Sequence, residues 1–158
     1  MNENLLIRIH RQLVCCLKKL QSPLLLLIRL YWGWGFFETG KGKLLHLAST
    51  ANYFNELGIP WPKFNAEMAG TTECVGGLFL LLGLFSRLAS IPLTCTMIVA
   101  YLTAHLDTLK TIFQSPESFT SAQAFPFLLA CLIILAFGPG KFSVDWLVDK
   151  YYLKKKED

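Results

Sequence analysis

Charge is scarce in this chain. Asp, Glu, Lys and Arg make up 16% of its 158 residues, where an ordinary soluble domain carries about a quarter. That leaves too little polar side chain to cover a water-facing surface. The shortage excludes a typical soluble domain and makes a lipid bilayer the natural solvent for the 53% of residues that are hydrophobic, among them 12 Phe, 4 Trp and 5 Tyr. The five cysteines, Cys15, Cys16, Cys74, Cys95 and Cys131, form no C-x-x-C pair and no zinc spacing, which argues against a disulfide framework and a thiol redox pair. They read as small buried hydrophobes, with vicinal Cys15-Cys16 also a candidate for palmitoylation. No Walker loop, dinucleotide glycine fingerprint or haem attachment motif occurs, so the chain is not expected to drive chemistry with a nucleotide of its own. A continuous basic face is lacking too: the net charge of +4 is concentrated at the two ends, and nucleic acid is a poor partner.

What the chain does have is long apolar runs. A membrane helix needs about 20 mostly apolar residues, and four stretches qualify by length: Pro23 to Thr39 with Arg29 inside and Glu38 at its end, Phe64 to Phe85 with Glu67 and Glu73, Leu88 to Leu106 with His105, and Ser118 to Gly140. Lipid forbids unsatisfied backbone, and these runs are too continuously apolar for barrel strands. The expected fold is therefore all-α, a single domain forming a four-transmembrane-helix bundle over residues 22–147. Residues 1–21 precede it as an amphipathic helix on the cytoplasmic face, with Leu5, Ile9, Leu13 and Leu17 on one side and Arg8, Arg11, Lys18 and Lys19 on the other. A short interfacial helix is expected at Leu44 to Leu57, capped by Gly58, and residues 148–158 form a basic tail. The Lys and Arg bias places both termini in the cytoplasm, with Tyr53, Trp61, Trp146, Tyr151 and Tyr152 at the interfaces. Arg29 interrupts any would-be signal peptide, so cleavage is not expected.

Charges inside a bilayer are costly and point to function. At about 1.5 Å per residue, Glu73 falls near mid-membrane and Arg29 roughly 10 Å from the cytoplasmic end of its span, so Arg29 either pairs with Glu73 or snorkels. Without a cationic partner Glu73 would be protonated, a hydrogen-bond donor or proton carrier. Gly70, Gly76 and Gly77 flank it on a face bare enough for a neighbouring helix or a flat ligand to come close. A second polar group, Glu38, Glu67, His105 and Asp107 with Lys41, Lys43 and His46, is expected near the outer face. No H-x-x-x-H or E-x-x-H spacing occurs there, which speaks against a metal, and His105 alone reads best as a helix-end hydrogen-bonding group.

Several of these residues fall into a pattern. Arg29-Leu30 leads through a glycine- and aromatic-rich stretch to Gly40-x-x-Lys43-Leu44, then Gly58-Ile59-Pro60, then Glu73-x-x-Gly76-Gly77 running to Gly83-Leu84-Phe85-Ser86-Arg87, and lastly Phe137-Gly138-Pro139-Gly140-Lys141-Phe142-Ser143-Val144-Asp145. Over roughly Leu26 to Leu147 the chain resembles the DoxX family of small membrane proteins. The resemblance implies a four-helix bundle of the bacterial cytoplasmic membrane, related to a subunit of a thiosulfate:quinone oxidoreductase, and it marks Arg29, Lys43, Glu73 and Arg87 as motif positions. The family does not fix one reaction, but with the glycine-lined face of Glu73 it leads to the expectation of a quinone-linked membrane subunit in which Glu73 handles protons and Arg29 balances charge. The depth of the polar residues adds Lys43, Glu38, Glu67 and His105, and the bare helix face Gly76 and Gly77, near a quinone or partner. The alternatives are a non-catalytic scaffold for a membrane or periplasmic partner protein, or a homo-oligomer of that kind, and a small-solute transporter, the last weakened by the absence of an inverted repeat.

Overall fold

A computed structural model describes residues 3–110, 112–114 and 116–153; the side chains of residues 3–6, 8, 9, 15, 16, 18, 152 and 153, among them Leu5, Arg8, Ile9 and Lys18 of the expected amphipathic face, Cys15, Cys16 and Tyr152, and the whole of residues 154–158 lie outside that description. The fold is all-α, with no strand among the described residues. Helices α1 (Glu3–Leu45), α2 (Leu47–Glu56), α3 (Pro62–Leu82), α4 (Ser86–Ala104), α5 (Leu106–Lys110), α6 (Pro116–Ser121), α7 (Ala124–Phe137) and α8 (Val144–Val148) follow in order, and a π-helical turn, Asp149–Leu153, ends them. The long helices close a ring, α1 on α3, α3 on α4, α4 on α7 and α7 back on α1. Phe36, Leu80, Leu93, Met97, Tyr101, Cys131 and Ile134 form its core.

Three boundaries differ from those expected. The amphipathic stretch at residues 1–21 and the first apolar run are one helix, because α1 passes through Pro23 without ending. A proline there removes one backbone hydrogen bond, and the helix continues on both sides of it. At the other end α1 runs past Thr39 to Leu45, which brings Lys43 into the helix. The last run is divided into α6 and α7 at Ala122-Gln123. Pro126 has no N–H to offer the Ala122 carbonyl, so a helix starts best where that donor would be unused; Phe125 N–H takes the carbonyl instead.

By length and apolarity α4 alone suffices to cross a membrane, and α7 is a shorter apolar helix. Four crossings therefore do not follow from the helices' dimensions. Pro92 interrupts the α4 backbone ladder, and hydroxyls work along the same helix: Ser90, Thr94 and Thr96 donate to the carbonyls of Ser86, Ser90 and Pro92. Such back-bonding keeps polar side chains satisfied within an apolar helix.

Glycines set the α1–α3 contact. Gly33 and Gly40 lie seven residues apart on α1, and Gly70 and Gly77 lie seven apart on α3, one face in each case. The helices run antiparallel with these faces together. A Cβ on Gly40 would come within 2.7 Å of the Gly70 carbonyl, and one on Gly77 within 2.6 Å of Phe37 N and 2.7 Å of the Gly33 carbonyl. Only glycine permits that approach.

Candidate functional site

The antiparallel register decides which charges meet. Arg29, near the start of the contact, reaches the end of α3, whereas Lys43, about 21 Å further along α1 at 1.5 Å per residue, stands opposite Glu73. Of the two alternatives for Arg29, pairing with Glu73 is therefore not the one formed, and nor is snorkelling to an exposed position. Glu73 is 1% exposed and both its carboxylate oxygens accept from Lys43 Nζ, one of them at 2.5 Å. Ending the first span at Thr39 had placed Lys43 outside the helix; its extension to Leu45 carries the lysine into position.

Arg29 is 1% exposed and is held by carbonyls. Its guanidinium donates to Leu80 O at 2.8 Å, Leu81 O at 3.2 Å, Pro139 O at 2.7 Å and Phe142 O at 3.0 Å. This ties the end of α3 to the glycine-proline-glycine segment after α7. Gly83, at φ +69°, turns the chain out of α3 while its N–H and that of Leu84 return to the carbonyls of Leu80 and Phe79, a Schellman closure. The Asp145 carboxylate then accepts from the N–H groups of Phe85 and Ser86, at 2.7 and 3.0 Å, and caps the first turn of α4 from a distant part of the chain. Asp145 stood in the recognised motif without a role, and a capping partner remote in sequence leaves no local signal.

The ion pair lies in the wall of a cavity of about 580 Å³. Phe36, Thr39 and Lys43 of α1, Met68, Thr72 and Glu73 of α3, Cys95 through Ala104 of α4 in part, His105, and Ala124 and Phe127 of α7 surround it. One side is closed by Tyr53, Phe54 and Leu57 from α2 and the turn after it. Thr39 spends its hydroxyl on the Phe36 carbonyl, and Phe127 packs edge-on to Phe36 with centroids 4.7 Å apart. The cavity is apolar over most of its wall, with one charged pair at its head. Glu73 has both oxygens occupied, and Lys43, its side chain 30% exposed, is the member open to a visitor.

The remaining expected site residues disperse. Glu38 and Glu67 are exposed; Glu38 lies beside Tyr31 and Trp34 on the outer side of α1, so the second polar group does not assemble. His105 ends α4 and lines the same cavity as Lys43 and Glu73, with its ring 5.8 Å from that of Tyr101. Gly76 and Gly77 are filled by protein: Leu93 packs over Gly76 and α1 over Gly77, leaving no room there for a flat ligand. Tyr53, Phe54 and Thr72 were not anticipated. Their only signal was periodicity, which does not separate a cavity wall from a core.

A ring of helices locked at one end by an arginine on carbonyls, and carrying a lysine–glutamate pair beside an apolar cavity, defines a small all-α protein built to hold a charge in an apolar setting. The DoxX family model matches residues 24–106, and the chain belongs to the DoxX family. It is 30% identical over 140 residues to an uncharacterized membrane protein of Mycobacterium tuberculosis, covering 81% of this chain and 83% of that one. An uncharacterized protein of Haemophilus influenzae is 27% identical over 83% of this chain and 87% of its own length. A Bacillus subtilis protein whose name reads "Putative oxidoreductase CatD" is 31% identical over 51% of this chain and 59% of its own. No solved structure gives a significant match.

Proposed function

We propose that this DoxX-family chain is a multi-pass membrane subunit of an oxidoreductase complex that docks a quinone-type ligand in the Lys43–Glu73 cavity. The observation that carries the reading is the cavity itself: an apolar chamber of about 580 Å³ whose one accessible charge is a lysine donor, suited to a flat apolar ring with a carbonyl acceptor. Membrane embedding is supported by exposed apolar side chains around all four long helices, including Leu27 and Trp34, Phe64 and Leu78, Leu88 and Ile98, and Leu129 and Leu132, together with the name of the mycobacterial relative. The ring's four helices then cross the bilayer, α6 and α7 completing the last crossing together, with both termini cytoplasmic. The name of the Bacillus relative supports the redox context. Electrons would come from a partner protein, and the carboxylate of Glu73, reached through Lys43, would buffer the proton that accompanies them.

Solvent extraction of the gently purified protein, followed by mass spectrometry and absorbance, tests this. Quinone near one equivalent in the native chain and its loss in a folded Lys43→Met variant are expected. Lipid alone in both samples would overturn the quinone reading. The second reading, a non-catalytic scaffold, is favoured by α2, which has no buried residue and so presents most of its surface outward. Loss of a co-purifying protein on altering exposed Asn52, Asn55 and Glu56, with quinone absent throughout, would select it.

A further inference from the structure

The exposed charges divide by end of the bundle. Around the cavity they are mixed: Lys41 and Lys63 are exposed alongside Glu38, Glu56 and Glu67. Among the described residues, the exposed charges toward the Arg29 end include Lys19, Arg87, Lys141 and Lys150, with Asp149. The other carboxylate there, Asp145, is committed to the amides of Phe85 and Ser86. Among the described residues no carboxylate pairs with Arg87, Lys141 or Lys150.

The same end carries exposed apolar side chains. Phe85 is 60% exposed and held at φ +45°, a conformation costly for an aromatic residue. Phe142, Leu147, Val148 and Tyr151 are also exposed. The Lys150 ammonium lies over the Trp146 ring at 4.9 Å and near the Tyr151 ring at 5.5 Å, so its position is fixed by cation–π contact. This surface is not a loose tail. Asp145 fastens it to α4, Arg29 fastens Pro139 and Phe142 to α3, and Ser143 Oγ accepts from Trp146 N–H, turning the chain into α8.

We propose that the surface made by Phe85, Arg87, Lys141, Phe142 and the segment Val144–Tyr151 is a foot that binds the headgroups of anionic phospholipids. It rests on the membrane reading above and is independent of the quinone. Aromatic and aliphatic side chains enter the headgroup boundary, and the unpaired cations meet lipid phosphates and their extra negative charge. Zwitterionic lipid offers the apolar contact without the net charge. The mixed-charge cavity end has no such preference, which gives the molecule a polarity that the leaflets can read.

Native mass spectrometry of the full chain in detergent, titrated with phosphatidylglycerol or phosphatidylcholine, measures the preference. One basic residue near an anionic surface contributes about fivefold, so phosphatidylglycerol is expected to bind the native chain at least about tenfold more tightly. The variant Arg87→Gln, Lys141→Gln, Lys150→Gln should lose that preference, and Lys41→Gln with Lys63→Gln should keep it. Equal binding of the two lipids by the native chain, or a preference surviving the triple substitution, would overturn the foot. Failure of the native chain to enter phosphatidylcholine nanodiscs would instead overturn the membrane reading. Arg87 faces Gly138 at the turn after α7, so Lys141→Gln with Lys150→Gln serves as a second variant that leaves this corner untouched; it should lose part of the preference, and an unchanged preference would count against the foot.

Discussion

Two cations stand on one helix, Arg29 buried and Lys43 half-buried, and they are satisfied in different ways. Arg29 gives its protons to four backbone carbonyls from two segments, while Lys43 gives its own to the side chain of Glu73 beside a cavity. Backbone carbonyls neither titrate nor swing away, so the Arg29 end is a fixed joint. A lysine side chain paired to a carboxylate beside a cavity can turn a donor toward a ligand. The difference separates a rigid joint from an ion pair that faces a cavity, the place where the proposed ligand would sit.

The comparison breaks most severely if the helices carrying both charges are pushed apart. Gly77→Leu would drive a side chain into the α1 backbone, where even a Cβ meets Phe37 N at 2.6 Å; no folded monomer is expected by size-exclusion chromatography, and both ends fail together. Arg29→Met comes next. It removes four hydrogen bonds and leaves the carbonyls of Leu81, Pro139 and Phe142 short of a donor, while Leu80 O keeps the Gly83 N–H. Each stranded carbonyl costs about 1 kcal/mol or more when buried, and the closing segment is freed from α3. Thermal unfolding in detergent should shift down by more than 10 °C on the order-of-magnitude relation between stability and midpoint, while ligand content per folded molecule is unchanged. A loss of ligand without loss of stability would show that the joint and the site are not separable as described.

Lys43→Met and Glu73→Leu give a smaller and more specific effect. Either change strands a partner inside the protein, costing up to about 3 kcal/mol once the partial exposure of Lys43 is allowed for. The double change removes both charges and should be better tolerated than either alone. Denaturation of the three variants measures this coupling; additive losses would mean that the pair contributes nothing as a pair. Arg29→Met combined with Glu73→Leu should be additive, because these residues serve opposite ends of the contact.

Much of the fold was legible. The order of the long helices follows from the apolar runs, and Gly58, read as a cap, is observed at positive φ, whereas Gly83 and Gly138, which end α3 and α7 at positive φ as well, lie inside those runs and are not read as helix ends. The paired glycine spacing on α1 and α3 also carried the register, for two faces with a glycine every seven residues fit each other best in one alignment. Depth counted along separate spans obscured this. It assumed that α1 began near Pro23 and ended at Thr39, whereas tertiary packing carried the helix through the proline and on to Leu45. The cavity was not legible because Tyr53, Phe54, Met68 and Ala100 look like core residues in any helical pattern. Only the placement of α2 against α3 turns them into walls.

The smallest expected effect lies in that wall. α2 has no buried residue; at one end His46 departs from helical geometry, and at the other Gly58 sits at φ +72° with open space around the position of a Cβ. Thr50 Oγ1 reaches back to the carbonyls of His46 and, at 3.4 Å, of Lys43, so α2 is linked to the backbone of the residue that faces the cavity. Gly58→Ala meets no neighbour and adds only the strain of a left-handed alanine, about 1 kcal/mol. That is too little to unfold the ring but enough to shift how α2 closes on α3, because no residue of α2 is buried. The expected outcome is a midpoint of unfolding within a few degrees of the native value together with faster loss of cavity ligand in a wash-out assay. An unchanged release rate would make α2 a fixed wall, and the contrast between a rigid end and a working end would then rest on the ion pair alone.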